Sequence, residues 1–436
     1  MLLIYLPGIT PRCEYVFGMM FNEELGIEYD TTTHLNIFEA HEQEKINYSF
    51  KRNGKEFYIH ASSLLFENGI KEIDISTEKK SGTTFLFCND ASCDLGFDIF
   101  SATFYMLSRY EEYLPFTADK YGRFKGADSL AYRNNFLQQP VVNTWVSIFR
   151  KMLVEKFPHL QLRSSSFNYI ITYDIDIAYA FKGRNLARLI GATAKDIFEF
   201  RVKNIFNRIC TLVNLQKDPW DTFDLMQDLI VKNRLHSLFF FLMGDYSEHD
   251  KNIAYTHPLM KKLITRVSTF SEIGIHPSFQ SFAFPEKISN EKTRLESLSG
   301  KKISKSRQHY LRFILPDTYN NLADAGVKED YSMGFSDIPG FRAGTAKPFY
   351  FYDLKNERAT DLKIFPITFM DGSLIDYLKL APGEALAYIL QLIEEVKNVD
   401  GTFISIWHNH TLSETNMYKG WRLVHDKMIE KILSYA

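Results

Sequence analysis

Beyond residue 167 the chain repeats one rhythm, a short apolar run, a polar loop and a helical pattern, and few architectures other than a parallel sheet covered by helices accommodate it. The apolar runs are Tyr169 to Tyr173, Ser237 to Met243, Glu272 to Ile275, a stretch around Phe341, Leu362 to Met370, and Thr402 to Trp407. At or just past their ends stand Asp174 and Asp176, Gly244 and Asp245, His276, Arg342, Asp371 and Gly372, then His408 and His410. In a parallel barrel all C-terminal strand ends converge on one face, where the loops that follow them build a site. One charged group at a strand end is unremarkable; a series of carboxylates and imidazoles on one face is costly unless the groups are used or paired.

The preceding region has a different texture. Met1 to Leu6 reads as a first strand, and Leu35 to Ala40, Lys45 to Lys51, Glu56 to His60 and Thr83 to Phe87 read as further short strands. Helical spacing follows at Ile99, Thr103, Met106, Leu107 and Tyr110, closing in SRYEEY before Pro115. After the loop DKYGRFKGADSLAYRNN a second helix spans Val141 to Lys156, and the polar RSSS at Arg163 to Ser166 marks a boundary. These features predict a smaller α+β domain over about residues 1–160, ahead of an α/β unit over 167–436.

The 51 basic and 53 acidic side chains nearly balance, which argues against a nucleic-acid partner and leaves a carbohydrate or other small neutral substrate. Cys13, Cys88, Cys93 and Cys210 form no Cys-x-x-Cys pair, so neither a disulfide framework nor a zinc-thiolate site is expected. The first ten residues lack a basic leader and are interrupted at Pro7-Gly8, and the reading is of a cytoplasmic chain.

In YIITYDIDIAY a spacing of two puts Asp174 and Asp176 on one side of an extended chain, an arrangement suited to one carboxylate on a cation and the other free as a base. Helix capping is the competing reading. His276, before the rigid Pro277, supplies an imidazole, and with Asp176 makes two protein ligands where catalytic zinc takes three. Arg342 stands between glycines, placed either to orient Asp174 or to form an ordinary ion pair. His408 is suited to protonating a leaving amine, and alternation puts His410 on its side of the strand.

In order and placement these motifs resemble the polysaccharide deacetylases with a NodB-type homology domain, specifically their bacterial relatives with an added N-terminal domain. The resemblance implies an irregular (β/α)7-type barrel over 167–436 behind an accessory domain at 1–160. It implies a metal-assisted hydrolase that removes an acyl (acetyl) group from an amino sugar or polysaccharide precursor by breaking a C–N bond. TYDID matches the first motif, with Asp174 as base and Asp176 as ligand of a divalent metal, zinc by analogy; His276 matches the first metal histidine. GFRAG matches the arginine motif at Arg342, ISIWH the closing motif at His408, and MDGSL places Asp371 near the fourth. The second metal histidine is replaced by Gln280, a poorer zinc ligand, which leaves the third ligand open, with Gln280, Asp371 and His410 as the candidate positions. Gln280 also keeps open a non-catalytic carbohydrate-binding relative without metal. A glycosyltransferase using Asp-x-Asp would leave His276, Arg342 and His408 without a role.

Residues 182–213 carry Lys182, Arg184, Arg188, Lys195, Arg201, Lys203 and Arg208 against Asp196 and Glu199, with Phe198, Ile205, Phe206, Ile209 and Leu212 interleaved. The preferred reading is a solvated basic face over a core; the alternative is weak contact with an anionic membrane surface or a lipid-linked sugar. Following the strand that bears Asp174, the segment is expected beside the mouth of the site.

Overall fold

Four short strands, β1 (Leu2–Tyr5), β2 (Tyr29–Thr32), β3 (Lys45–Ser49) and β4 (Phe57–His60), form an all-parallel sheet in the order β2-β1-β3-β4 in the computed structural model, which describes residues 1–89, 93–184 and 186–435. Parallel neighbours need crossovers, and helices at Pro11–Phe17 and Leu35–Ala40 supply two of them. The region is therefore of α/β type here, where segregated α+β elements were expected. Leu35–Ala40 is a helix rather than a strand: only Phe38 of its residues is buried, and the Lys45 amine donates to the carbonyls of Phe38, Glu39 and His41 at its C-terminal end. An antiparallel hairpin, β5 (Thr77–Lys80) and β6 (Thr83–Leu86), stands apart. The helix Val141–Lys156 buries Val142, Trp145, Val146, Phe149 and Leu153, the stripe its periodicity predicts.

The second sheet comprises β7 (Asn168–Ile175), β8 (Ser237–Leu242), β9 (Glu272–His276), β10 (Lys305–Ser306), β11 (Glu329–Asp330), β12 (Phe349–Asp353), β13 (Arg358–Ile364), β14 (Phe369–Met370) and β15 (Thr402–His408). Its order is β12-β13-β11-β10-β9-β8-β7-β15-β14, and every pair is parallel except β12 with β13. This is a mixed α/β sheet rich in parallel strands, and its ladder of strand pairs is open. The backbone between β13 and β14 nevertheless reaches both ways: Phe365 and Ile367 N–H donate to the carbonyls of Asp330 (2.8 Å) and Met333 (3.0 Å), and Thr368 N–H donates to Ile404 (2.8 Å).

Alternation along the strands divides their side chains between two apolar clusters. Ile170, Leu238, Phe240, Ile404 and Ile406 join Tyr331 and Ile367 in a small cluster on the face that also carries Asp174 and His408. Ile171, Tyr173, Ile175, Phe239, Phe241, Phe403 and Trp407 point the other way, into the large core packed by helices. The site therefore sits over a dry apolar floor.

The stretch around Phe341, expected as a strand, is a buried loop. It clasps the N-terminal region: Phe341 N–H donates to Leu137 O (2.8 Å), Val142 N–H to Gly344 O (2.9 Å), and Ala346 N–H to Asn143 Oδ1 (2.8 Å). Gly340 has φ +143°, and a Cβ there would lie 2.5 Å from the Leu137 carbonyl oxygen, so only glycine permits the approach. One apolar cluster continues across this junction, joining Phe100, Trp145 and Phe149 to Phe313, Tyr319, Phe351 and Leu362.

Candidate metal centre

Asp174 is the penultimate residue of β7 and Asp176 lies just beyond the strand, His276 ends β9, and His309 follows β10. Ligand atoms of Asp176, His276 and His309 all lie within 4.8 Å of one another. The expected pair of Asp176 and His276 is thus brought together, and the third donor is a histidine the sequence reading did not single out.

Both imidazoles are fixed from behind. His276 Nδ1 faces the Arg307 carbonyl (2.5 Å), which can only accept, so this nitrogen donates and Nε2 faces Asp176 Oδ1 at 3.1 Å. His309 Nδ1 donates to Asp250 (2.9 Å), leaving Nε2 3.4 Å from Asp176 Oδ2. Asp176 Oδ1 is buried without a hydrogen-bond partner. Imidazole nitrogens converging on a buried carboxylate, each ring oriented through its remote nitrogen, are what a divalent cation requires once the ring facing it gives up its proton. Burial would raise the Asp176 carboxyl, but His309 and His408 hold it well below the usual range. Burial would likewise lower His309, yet Asp176 and Asp250 raise it to about 9, so an entering cation displaces a proton there.

Asp174 stands beside this trio, its Oδ2 3.8 Å from His276 Nε2. Its arginine is Arg307, not Arg342. Buried Arg307 donates through Nη1 to Asp174 Oδ1 (2.8 Å) and Thr172 Oγ1 (2.6 Å) and through Nε to Tyr331 O (2.9 Å), with its guanidinium over the Phe240 ring. Arg342 instead makes a two-pronged pair with Glu112, at 2.8 and 2.5 Å, donates to Gly334 O, and packs against the rings of Phe313 and Phe335. The expected orientation of Asp174 by Arg342 is corrected accordingly: Arg342 sits on the clasp loop and is spent on SRYEEY.

His408 ends β15 with Nδ1 2.6 Å from Asp371 Oδ1 and Nε2 3.4 Å from Asp176 Oδ2. Burial opposes its protonation, but Asp371 and Asp176 raise it well above the ordinary imidazole value. Asp371 is not positioned as a ligand: its two oxygens already accept from the backbone N–H of Gly372 and of His408, from Thr411 Oγ1 and from His408 Nδ1. His410 shares the cavity, and burial followed by the nearby His408 charge lowers it to about 4, which keeps it neutral. Gln280 is not among the residues lining the cavity; it lies in the turn Phe279–Phe282, to which Pro277 and Ser278 redirect the chain, and is set aside as a ligand.

The cavity has a volume of about 410 Å³. Besides the acidic and imidazole groups, it is lined by Tyr310, Tyr377 and Tyr418, and by Lys120, Tyr121 and Arg123 from the loop DKYGRF, whose place here gives the N-terminal region a wall of the site. Arg123 fixes that wall by donating to Asp119, to Tyr310 O (2.7 Å) and to Tyr377 Oη (2.8 Å).

The turn after His276 is braced by Glu291, whose carboxyl accepts from Ser278 N–H (2.8 Å) and Oγ (2.5 Å). Burial raises this carboxyl to about 7. The folded state then holds a proton that the unfolded chain has released, so stability falls as pH rises from about 4.5 to 7, by on the order of 2–3 kcal/mol. Urea unfolding at pH 5 and pH 8 should show this loss in the wild type and a flatter profile in Glu291→Gln; equal pH dependence in the two would remove Glu291 as the cause.

Residues 2–158 match the model of a family of unknown function (DUF7033). No curated protein matches this chain. Among solved structures it is similar to a candidate polysaccharide deacetylase from Mycobacterium smegmatis, at 14% identity over 63% of this chain and 86% of that one, with a TM-score of 0.41. It is also similar to a CE4 family pseudoenzyme from Bacillus anthracis, at 9% identity over 62% of this chain and 63% of that one (TM-score 0.31). A third is a polysaccharide deacetylase from Bacillus cereus, at 11% identity over 48% of this chain and 81% of that one (TM-score 0.28).

Proposed function

We propose that this protein is a metal-dependent amide hydrolase that removes an acyl group, acetyl in the simplest case, from an amino sugar or a polysaccharide precursor. The observation that carries the reading is the trio Asp176, His276 and His309 set between an arginine-held Asp174 and an Asp371-held His408. In this reading residues 167–436 form an irregular barrel, closed through the backbone between β13 and β14, and residues 1–160 are an accessory unit that lends one wall to the site. Gln280, the feature that favoured a metal-free binding protein, loses its force because His309 supplies the missing imidazole.

A divalent cation such as Zn²⁺ on Asp176, His276 and His309 would polarise the amide carbonyl and acidify a water. Asp174, oriented by Arg307, takes the proton of the attacking water as its oxygen bonds to the carbonyl carbon. His408, kept protonated by Asp371, gives its proton to the amide nitrogen as the C–N bond breaks, so that a free amine and a carboxylate leave. The tyrosines lining the cavity offer faces against which a sugar ring packs.

The test is release of acetate from N-acetylated hexosamine oligomers by the zinc-loaded protein. Asp371→Asn, which removes the charge that keeps His408 protonated, should lower kcat by about 10²–10⁴-fold with zinc binding retained. Absence of acetate release from every oligomer by a fully loaded wild type, or an unchanged Asp371→Asn, would count against the assignment.

A further inference from the structure

The basic segment after β7 folds as two helices, Leu186–Phe198 and Val202–Leu212, and its polarity is inside out. Between the helices lie charged and polar side chains: buried Arg208 pairs with buried Asp196 and donates to Thr193 Oγ1, Asn204 donates to Asp196, and Thr211 is fully buried. The apolar side chains point outward. Phe198 is 84% exposed, Phe200 89%, Val202 71%, Phe206 65% and Ile209 55%. In the second helix Val202, Phe206 and Ile209 recur at spacings of four and three, so they form one stripe along it. This is not the solvated face over a core that the sequence suggested. A hairpin that turns its ion pair inward and its phenylalanines outward is matched to a surrounding that is itself apolar.

The charge of the segment says which one. Residues 182–217 hold eight basic and two acidic side chains, and the described Lys195 and Arg201 side chains are well exposed and share the single carboxylate of Glu199, which leaves the segment strongly positive; those of Arg188 and Lys203 lie outside the described residues. Apolar side chains flanked by lysine and arginine suit the boundary of an anionic bilayer, where phenylalanine enters the acyl region and the cations meet phosphate. Among the described residues no helix is long and apolar enough to cross a membrane, so the hairpin lies on the surface.

We infer that this hairpin docks the protein on an anionic phospholipid membrane and holds the cavity beside it. Both stems of the hairpin are tied to the cavity rim: Asn409 Nδ2 donates to the carbonyls of Ile177 and Ala178 before it (both 3.2 Å) and to Trp220 after it (2.9 Å), and the next residue, His410, lines the cavity. Resting on the hydrolase reading above, the substrate class that follows is a membrane-anchored or lipid-linked amino sugar; the docking itself stands without that reading.

Co-sedimentation of the full chain with vesicles tests this, comparing phosphatidylcholine alone with phosphatidylcholine in which roughly one third is replaced by phosphatidylglycerol. The wild type should partition onto the anionic vesicles about tenfold or more better than onto neutral ones, and lose this advantage in high salt. Phe198→Ser combined with Phe206→Ser, both at exposed positions, should lower partitioning by about tenfold or more. Far-ultraviolet circular dichroism and urea unfolding of the same samples report an intact fold and keep this test separate from the hydrolase assignment. Phe206→Trp, a second variant that preserves the apolar stripe, should show a blue-shifted emission with anionic vesicles only. Equal sedimentation of wild type and the double serine variant, indifference to lipid charge, or no blue shift would overturn the proposal. So would a wild-type dimer that the serine substitutions disperse, since a second copy of the chain would then be what covers the stripe.

Discussion

Arg342→Ala is expected to lower the free energy of unfolding by about 3–5 kcal/mol, because it strips one partner from a buried carboxylate. Burial would raise Glu112, but Arg342 and Arg109 together hold it below the usual carboxylate range. Arg109 is itself shared with Glu111, so the four charges balance only as a set. Removing Arg342 leaves that set with one uncompensated negative charge, frees the Gly334 carbonyl and empties the slot against Phe313 and Phe335. Urea denaturation should show the loss as a lower midpoint. Adding Glu112→Gln should recover part of it, since the orphaned charge goes too. The folded fraction of Arg342→Ala should bind zinc as the wild type does. A variant of wild-type stability with an altered metal site would return Arg342 to the place the sequence first suggested.

That misplacement shows what a sequence exposes and what it conceals. Asp174, Asp176, His276 and His408 were legible because apolar runs announce their own ends, and β7, β9 and β15, which carry or immediately precede them, are eight, five and seven residues long. β10 and β11 are two residues each, too short to show alternation, and so the residues just past β10 went unmarked. Those residues are Arg307 and His309. With them hidden, the arginine role fell to Arg342 and the third ligand was left open among Gln280, Asp371 and His410; Arg342 and Gln280 stand near motif-like sequence but lie on the clasp loop and in the turn after Pro277. A cue for His309 did exist: KSRQHYLRF places an arginine and a histidine two apart, the same spacing that made Asp174 and Asp176 noticeable. In the N-terminal region, Leu35–Ala40 was mistaken because six residues hold less than two helical turns, and their carbonyls are satisfied by Lys45 from the following strand. The outward-facing hairpin was also beyond reach: periodicity reveals that a helix has an apolar stripe, while which way the stripe faces is set by tertiary contacts such as Arg208 with Asp196.

Zinc titration of the metal-stripped protein bears most directly on the centre, with wild type compared against Asp176→Ala, His309→Ala and Gln280→Ala. Asp176 is the hub, since both His276 and His309 face its oxygens, and removing it takes away the only carboxylate of the trio. His309 contributes an imidazole already oriented by Asp250, so its loss removes a donor rather than a loosely held contact. One zinc per chain is expected for the wild type, with affinity lower by about 100-fold or more in Asp176→Ala and in His309→Ala. Gln280→Ala should titrate as the wild type does. Loss of binding in Gln280→Ala alongside wild-type affinity in His309→Ala would contradict the centre described here.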